Sequence, residues 1–197
     1  MMIKTILFFI LFINNIFAYE NDHETFHKKA LSQLLQQNKI ITDVKASDYK
    51  EEKKQELTIY TTGLHPKSCL FSSARISQYE SYPLFVDYIK ESFYSSESKN
   101  WHLLFESPLI PASFTLDFTF PRLTQTSENM TYPFHFPTGI FKDLKGTVSL
   151  EEIHGRCRYT VRAYWKGEKT FISSPMMEFF IAAVAEIGMR KLFQFSK

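Results

Sequence analysis

Glycine and cysteine are both scarce, at six and two in 197 residues, and the charges nearly cancel, with 23 Lys and Arg against 21 Asp and Glu. Each shortage excludes something. The chain contains no G-x-x-x-x-G-K, no G-x-G-x-x-G and no G-x-S-x-G, so P-loop, dinucleotide-fingerprint and nucleophile-elbow chemistry are not signalled. Two cysteines make no disulfide mesh, and no C-x-x-C pair is present. A chain of this length buries roughly 70% of its unfolded surface and needs no such mesh. A net charge of +2 argues against nucleic acid as a partner, because phosphate binding calls for a marked basic excess. Beyond residue 18 no apolar run approaches the roughly 20 residues of a bilayer span, so no permanent membrane span is expected. Internal repeats and low-complexity blocks are missing as well.

What the chain has in quantity is aromatic: 20 Phe and 10 Tyr, enough to fill a large core or line an apolar cavity. A hydrophobic share of 44% with 22% charged residues marks a folded domain, neither disordered nor a membrane bundle. The length fits one domain, or one domain with an appendage.

Residues 1–18 read MMIKTILFFILFINNIFA. Lys4 supplies a positive start, Ile6 to Ile13 an unbroken apolar stretch, and Ala18 a small residue for cleavage, which together predict a signal peptide. The alternative is an uncleaved N-terminal anchor. No Cys follows the apolar stretch, so a lipoprotein anchor is not expected. The expected location is periplasmic or secreted. In such an oxidising compartment Cys69 and Cys157 are either one disulfide or two buried thiols.

Along the mature chain, residues 20–38 have a helical pattern with Phe26, Ala30, Leu34 and Leu35 on one stripe. The next stretch, TDVKASDYKEEKKQE, reads as a polar linker or helix extension. Residues 19–55 are thus an expected appendage, and residues 56–197 the domain proper. From Glu56 the period becomes two, with Leu57, Ile59 and Thr61 on one face of a strand. Two short helices follow, at 68–77 and 78–86, the second broken or opened by Pro83. A strand pair at 88–94 and 101–106 precedes a strand with Phe114, Leu116, Phe118 and Phe120 on one face. A short or edge strand is expected at 132–136, and a hairpin at 146–153 and 156–166 around His154-Gly155. In its second strand Cys157, Tyr159, Val161, Ala163 and Trp165 face one way, and Arg158, Thr160, Arg162 and Tyr164 the other. The last segment predicts a long helix capped by Ser174, with Pro175 first, Glu178 near its positive end, and Met176, Phe180, Ala183, Val184 and Ile187 as its apolar stripe.

This order predicts an α+β fold in which a curved antiparallel sheet of about six to seven strands holds a long C-terminal helix, with an extra N-terminal helix. It resembles the helix-grip fold of the START and polyketide-cyclase superfamily (SRPBCC). Three segments carry the resemblance: ARISQYESYPLFVDYIKES, similar to coenzyme-Q-binding and cyclase-like members; KGTVSLEEIHGRCRYTVRAYWKG, similar to the closing hairpin; and ISSPMMEFFIAAVAEIGMRKLF, similar to the final helix. The resemblance spans residues 56–195 and implies an apolar cavity between sheet and helix for a lipid, quinone, sterol or polyketide. Its implied walls are Phe114, Leu116, Phe118, Phe120, Tyr159, Val161 and Trp165 on the sheet, facing Phe180, Ala183 and Ile187 on the helix, with Gly139, Ile140 and Phe141 in a lid. The alternative is that these side chains pack solidly. In such a fold the first and last strands are neighbours, which implies a Cys69–Cys157 disulfide.

Several polar residues remain as candidates for chemistry. His23-Glu24-Thr25-Phe26-His27 matches H-E-x-x-H, but it lies on the predicted appendage, where a third ligand would have to come from Glu51, Glu52 or elsewhere in the polar stretch, and Phe26 belongs to the apolar stripe. An exposed helix is the expectation there, with no metal and no cofactor. His102, His135 and His154 are single histidines near strands or turns; His135 near Tyr132 is the one placed for acid–base work at a pocket mouth. Asp117 alternates with the Phe face, and Arg156, Arg158 and Arg162 form a wet-face stripe. Asn129-Met130-Thr131 is a glycosylation acceptor in a eukaryotic host. The expected function is non-catalytic binding or carriage of an apolar small molecule or lipid. The alternatives are a cyclase, aromatase or hydrolase using the same cavity, and a ligand-free interaction domain.

Overall fold

In the computed structural model the described residues are 40–49, 53–87, 89–98, 100–106, 114–118, 129–137 and 139–196. The expected signal peptide, the N-terminal helix, the His23–His27 match and Phe120 lie outside them. Among the described residues eight strands form two antiparallel sheets. The larger has the order β1 (Ile41–Tyr49), β2 (Lys54–His65), β8 (Arg156–Glu168), β7 (Lys145–Ile153) and β6 (Asn129–His135). The smaller is β3 (Ile89–Ser95), β4 (Asn100–Phe105) and β5 (Phe114–Phe118). Helix α1 (Cys69–Ile76) and a 3-10 helix (Tyr79–Leu84) link β2 to β3, and helix α2 (Ser174–Phe195) follows β8.

Local chemistry explains most of these elements. Ser68 caps α1 by accepting from the Phe71 N–H at 3.3 Å. Pro83 cannot sit in a regular α-helix interior, and the segment around it is a 3-10 helix. His154 and Gly155 have φ of 51° and 73°, the pair of positive values that a two-residue hairpin turn between β7 and β8 requires. Among the described residues β6 is an edge of the larger sheet, as Pro133 within it and Pro137 just after it predict.

Three expectations need correction. Residues 42–49, read as a linker or helix extension, form β1, paired with β2 from Ile41↔Thr62 to Tyr49↔Lys54. Its sequence shows no clean apolar alternation. Val44 and Ala46 become strand residues because they pack on a core cluster of Leu57, Ala163, Trp165 and Met177. The helix cap is Ser173, not Ser174. The Ser174 hydroxyl instead donates to Asp48 on β1 at 2.7 Å. There it joins a half-buried network in which the Gln55 amide donates to Asp48 and to the Ile172 carbonyl, each at 3.0 Å.

The apolar stripe of α2 is also turned by about one residue. Met177 and Met189 are its buried residues, whereas Met176 and Ile187 are exposed. Nearly every residue from Met176 to Ile187 is apolar, so helical period alone does not fix the phase. Tertiary contacts fix it. Glu178 accepts from the Ala46 N–H at 2.8 Å. Gly63 lets the far half of the helix come close, since a Cβ there would lie 2.7 Å from Met189 Sδ and 2.8 Å from Phe193 Cε2.

A disulfide joins Cys69 to Cys157, with Cα atoms 4.5 Å apart. It ties the first turn of α1 to the start of β8, beside the His65↔Cys157 end of the β2–β8 ladder. The bond closes a loop of 88 residues, so the double variant Cys69→Ala/Cys157→Ala should lose about 2–4 kcal/mol of stability in urea melts. An unchanged midpoint would mean that hydrogen bonds and packing alone hold α1 in place.

Candidate functional site

Beneath the C-terminal half of α2 lies a cavity of about 200 Å³. Its floor is the concave face of the larger sheet: Phe134 on β6, Val148 and Leu150 on β7, and Tyr159 and Val161 on β8. Met189, Leu192 and Phe193 roof it. Ile76, Tyr79, Tyr82 and Trp101 make the end wall. That wall is an aromatic stack. Tyr79 lies flat on Trp101 with centroids 4.3 Å apart, and Tyr82 meets Trp101 edge-on at 5.0 Å.

The Tyr82 and Tyr159 hydroxyls and the Trp101 indole N–H are bonded to protein. The Tyr82 hydroxyl donates to the Ile76 carbonyl at 2.6 Å. The Tyr159 hydroxyl donates to Ser72 Oγ at 2.7 Å, and Ser72 passes the chain on to the Ser68 carbonyl at 2.9 Å. Trp101 Nε1 donates to Ser92 Oγ at 2.8 Å, which donates to the Tyr79 carbonyl at 2.6 Å. Burial pushes the Tyr82 and Tyr159 phenols well above their usual range; the Ser72 hydrogen bond opposes the shift at Tyr159 only in part. Both phenols therefore stay protonated near neutral pH.

The roof is held from behind by a buried histidine. The Lys67 N–H donates to His65 Nδ1 at 3.1 Å, which assigns the proton to Nε2. Nε2 then donates to Ser196 Oγ at 2.9 Å, and Ser196 donates to the Leu192 carbonyl at 2.7 Å. His65 also meets Phe193 edge-on at 5.3 Å. The end of α2 is thereby anchored to the end of β2.

No family model and no curated protein matches the sequence. Solved structures do match. A START superfamily protein from Mycobacterium smegmatis is similar over 70% of this chain and 94% of its own, at 14% identity and a TM-score of 0.55. A STAR-related lipid transfer protein fragment from Xanthomonas axonopodis is similar over 79% and 93%, at 10% identity and a TM-score of 0.57. One half of the di-domain aromatase/cyclase StfQ from the steffimycin pathway is similar over 72% of this chain and 49% of its own, at 5% identity and a TM-score of 0.55. The protein has a START-like helix-grip fold. Similarity at these identities speaks for fold alone.

Within this START-like fold only part of the expected wall meets at the cavity. Tyr159 and Val161 line it. Trp165 does not: it packs in the second cluster with Leu57 and Met177, and its Nε1 donates to the Lys142 carbonyl at 2.9 Å. Phe180 and Ala183 are half-buried and Ile187 is exposed, all three outside the lining, because of the rotated phase of α2. Phe114, Leu116 and Phe118 lie on β5, paired in register with Phe105, Leu103 and Trp101. The expected lid is placed elsewhere. Phe141 sits edge-on to Trp165 at 5.5 Å and packs on the second cluster, in a turn hydrogen-bonded to Phe136 on both sides, while Gly139 and Ile140 are exposed.

The polar candidates are also dispersed. His135 faces Asp143 at 3.9 Å, on the opposite side of β6 from Tyr132 and Phe134. His102 stacks on Phe93 at 4.9 Å, and His154 is a turn residue. Arg158 pairs with Glu151, and Arg162 lies over the Tyr60 ring at 5.9 Å, both on the outer face of β8. Among the described residues no cluster of His, Cys, Asp and Glu fits a metal ion, and no helix is long and apolar enough to cross a membrane.

Sequence reading missed the end wall and the roof. The signal for Tyr79, Tyr82 and Trp101 was present as a concentration of aromatics in QYESYPLF and at the start of β4, but nothing local says that they meet.

Two outcomes are expected. Gly63→Val should cost roughly 1–3 kcal/mol, because its methyls push Met189 and Phe193 toward the cavity; equal stability in denaturant melts would show that α2 does not bear on β2 there. Because the folded phenols of Tyr82 and Tyr159 titrate above their unfolded value, their contribution is complete below about pH 10 and declines as pH rises past it. Phenolate absorbance should show both ionising only together with unfolding. Ionisation at ordinary values in the folded protein would contradict their burial.

Proposed function

We propose that the protein is an exported, non-catalytic binder or carrier of an apolar ligand, a lipid, a quinone or a similar small molecule, held between the sheet and α2. The observation that carries this reading is the cavity itself, walled by rings and aliphatic groups, with the Tyr82 and Tyr159 hydroxyls and the Trp101 N–H bonded to protein. A cyclase, aromatase or hydrolase would need polar groups aimed at its substrate. Tyr82, Tyr159 and Trp101 direct theirs into the surrounding protein instead. The lipid-transfer name of the Xanthomonas axonopodis neighbour is in keeping with such a role. The Cys69–Cys157 disulfide and the signal-like residues 1–18 support the periplasm or the extracellular space as its setting.

Native mass spectrometry of protein purified from an exporting host, before and after organic extraction, tests this directly. A stoichiometric adduct that extraction removes is expected, and its loss in a folded Leu192→Trp variant would place it under α2. A clean mass that stays clean after incubation with lipid extracts and small apolar compounds would leave a protein-interaction domain as the better account.

A further inference from the structure

We infer that the ligand is a compact, neutral molecule of one or two fused rings, not a long acyl chain. This deepens the apolar-binder reading and rests on it. Size is the first ground. An apolar cavity of about 150 Å³ holds benzene, whereas sites for drug-sized molecules run to about 300–1,000 Å³. At about 200 Å³ the space under α2 accommodates a bicyclic molecule but not a long-chain fatty acid or a two-chain lipid.

Shape and chemistry are the second ground. Tyr79 and Trp101 are already stacked and Tyr82 stands edge-on to them, so the wall is rigid and offers flat ring surface. Such a surface favours another ring by offset stacking or an edge-to-face approach. In the roof Met189 supplies a polarizable, adaptable thioether. The third ground is the fate of the polar groups. With the Tyr82 and Tyr159 hydroxyls and the Trp101 N–H bonded to protein, none of the three stabilises a carboxylate or phosphate head. A charged head drawn into this space would be desolvated without compensation.

The test uses protein labelled with 13C at the methionine methyls, titrated with toluene, indole, naphthalene, palmitate and phosphatidylcholine vesicles. The rings should shift the Met189 methyl, through ring currents at the cavity, and leave the Met177 methyl of the second cluster unmoved. Palmitate should bind at least about tenfold more weakly than indole, since its head or its chain must stay outside. Val148→Trp should abolish ring binding. Should that variant not fold, Val148→Leu provides the graded version, in which naphthalene is lost before toluene. Shifts at Met189 from palmitate or vesicles, with none from the rings, would overturn this inference and keep the apolar-binder reading. No shift from any probe would overturn both. Ring binding that persists unchanged in a folded Val148→Trp would place the ligand at another site and also refute the inference.

Discussion

The antiparallel pairing of β2 with β8, continuous from Lys54↔Glu168 to His65↔Cys157, governs where every other part of the molecule can lie. It joins the first long strand to the last, so the chain between them has to form the remaining walls. It also leaves the start of α2 at one end of the sheet, where Gln55 and Asp48 bind the 170–174 segment. At the other end sit the disulfide and the His65–Ser196 hydrogen bond. The helix is therefore tied near both of its ends to residues of the same ladder or its neighbour. The space beneath it is a consequence of that two-point attachment.

Much of the fold was legible because its signals are local. The His154-Gly155 turn, the Pro83 interruption and the alternation of Tyr159 through Trp165 each act within a few residues. β1 was not legible, because Asp43, Lys45 and Asp48 mask its pattern and its strand character comes from β2 and α2. The phase of α2 was hidden for the opposite reason. A helix apolar on nearly every side carries too little contrast, and Gly63 and Glu178 decide which side turns in. The cavity shared both difficulties. Its β8 residues were found from alternation, while its roof shifted with the helix and its end wall was assembled from segments that only the fold brings together.

The cavity is less a hole in the packing than a limit on how closely aromatic groups can approach once their polar ends are committed. Tyr82 and Tyr159 each have a hydroxyl bonded at a fixed point, on Ile76 and on Ser72. Their rings are thereby held at fixed distances from the roof. Collapse of the space would break those buried hydrogen bonds, each costing about 1–3 kcal/mol if left unmade. Polar bonding in the walls and apolar emptiness in the middle are two sides of one arrangement.

β1 changes the molecule in a further respect. It is the outermost strand of the larger sheet among the described residues, and an outermost strand exposes backbone groups that can recruit another chain. Here the Glu178 carboxylate already accepts from the Ala46 N–H, and Val44 and Ala46 are packed beside the same helix. The helix that covers the face of the sheet thus also caps its rim. One outward backbone donor of that edge is thus taken by a side chain from within the fold, which makes the strand a poorer template for edge-to-edge pairing.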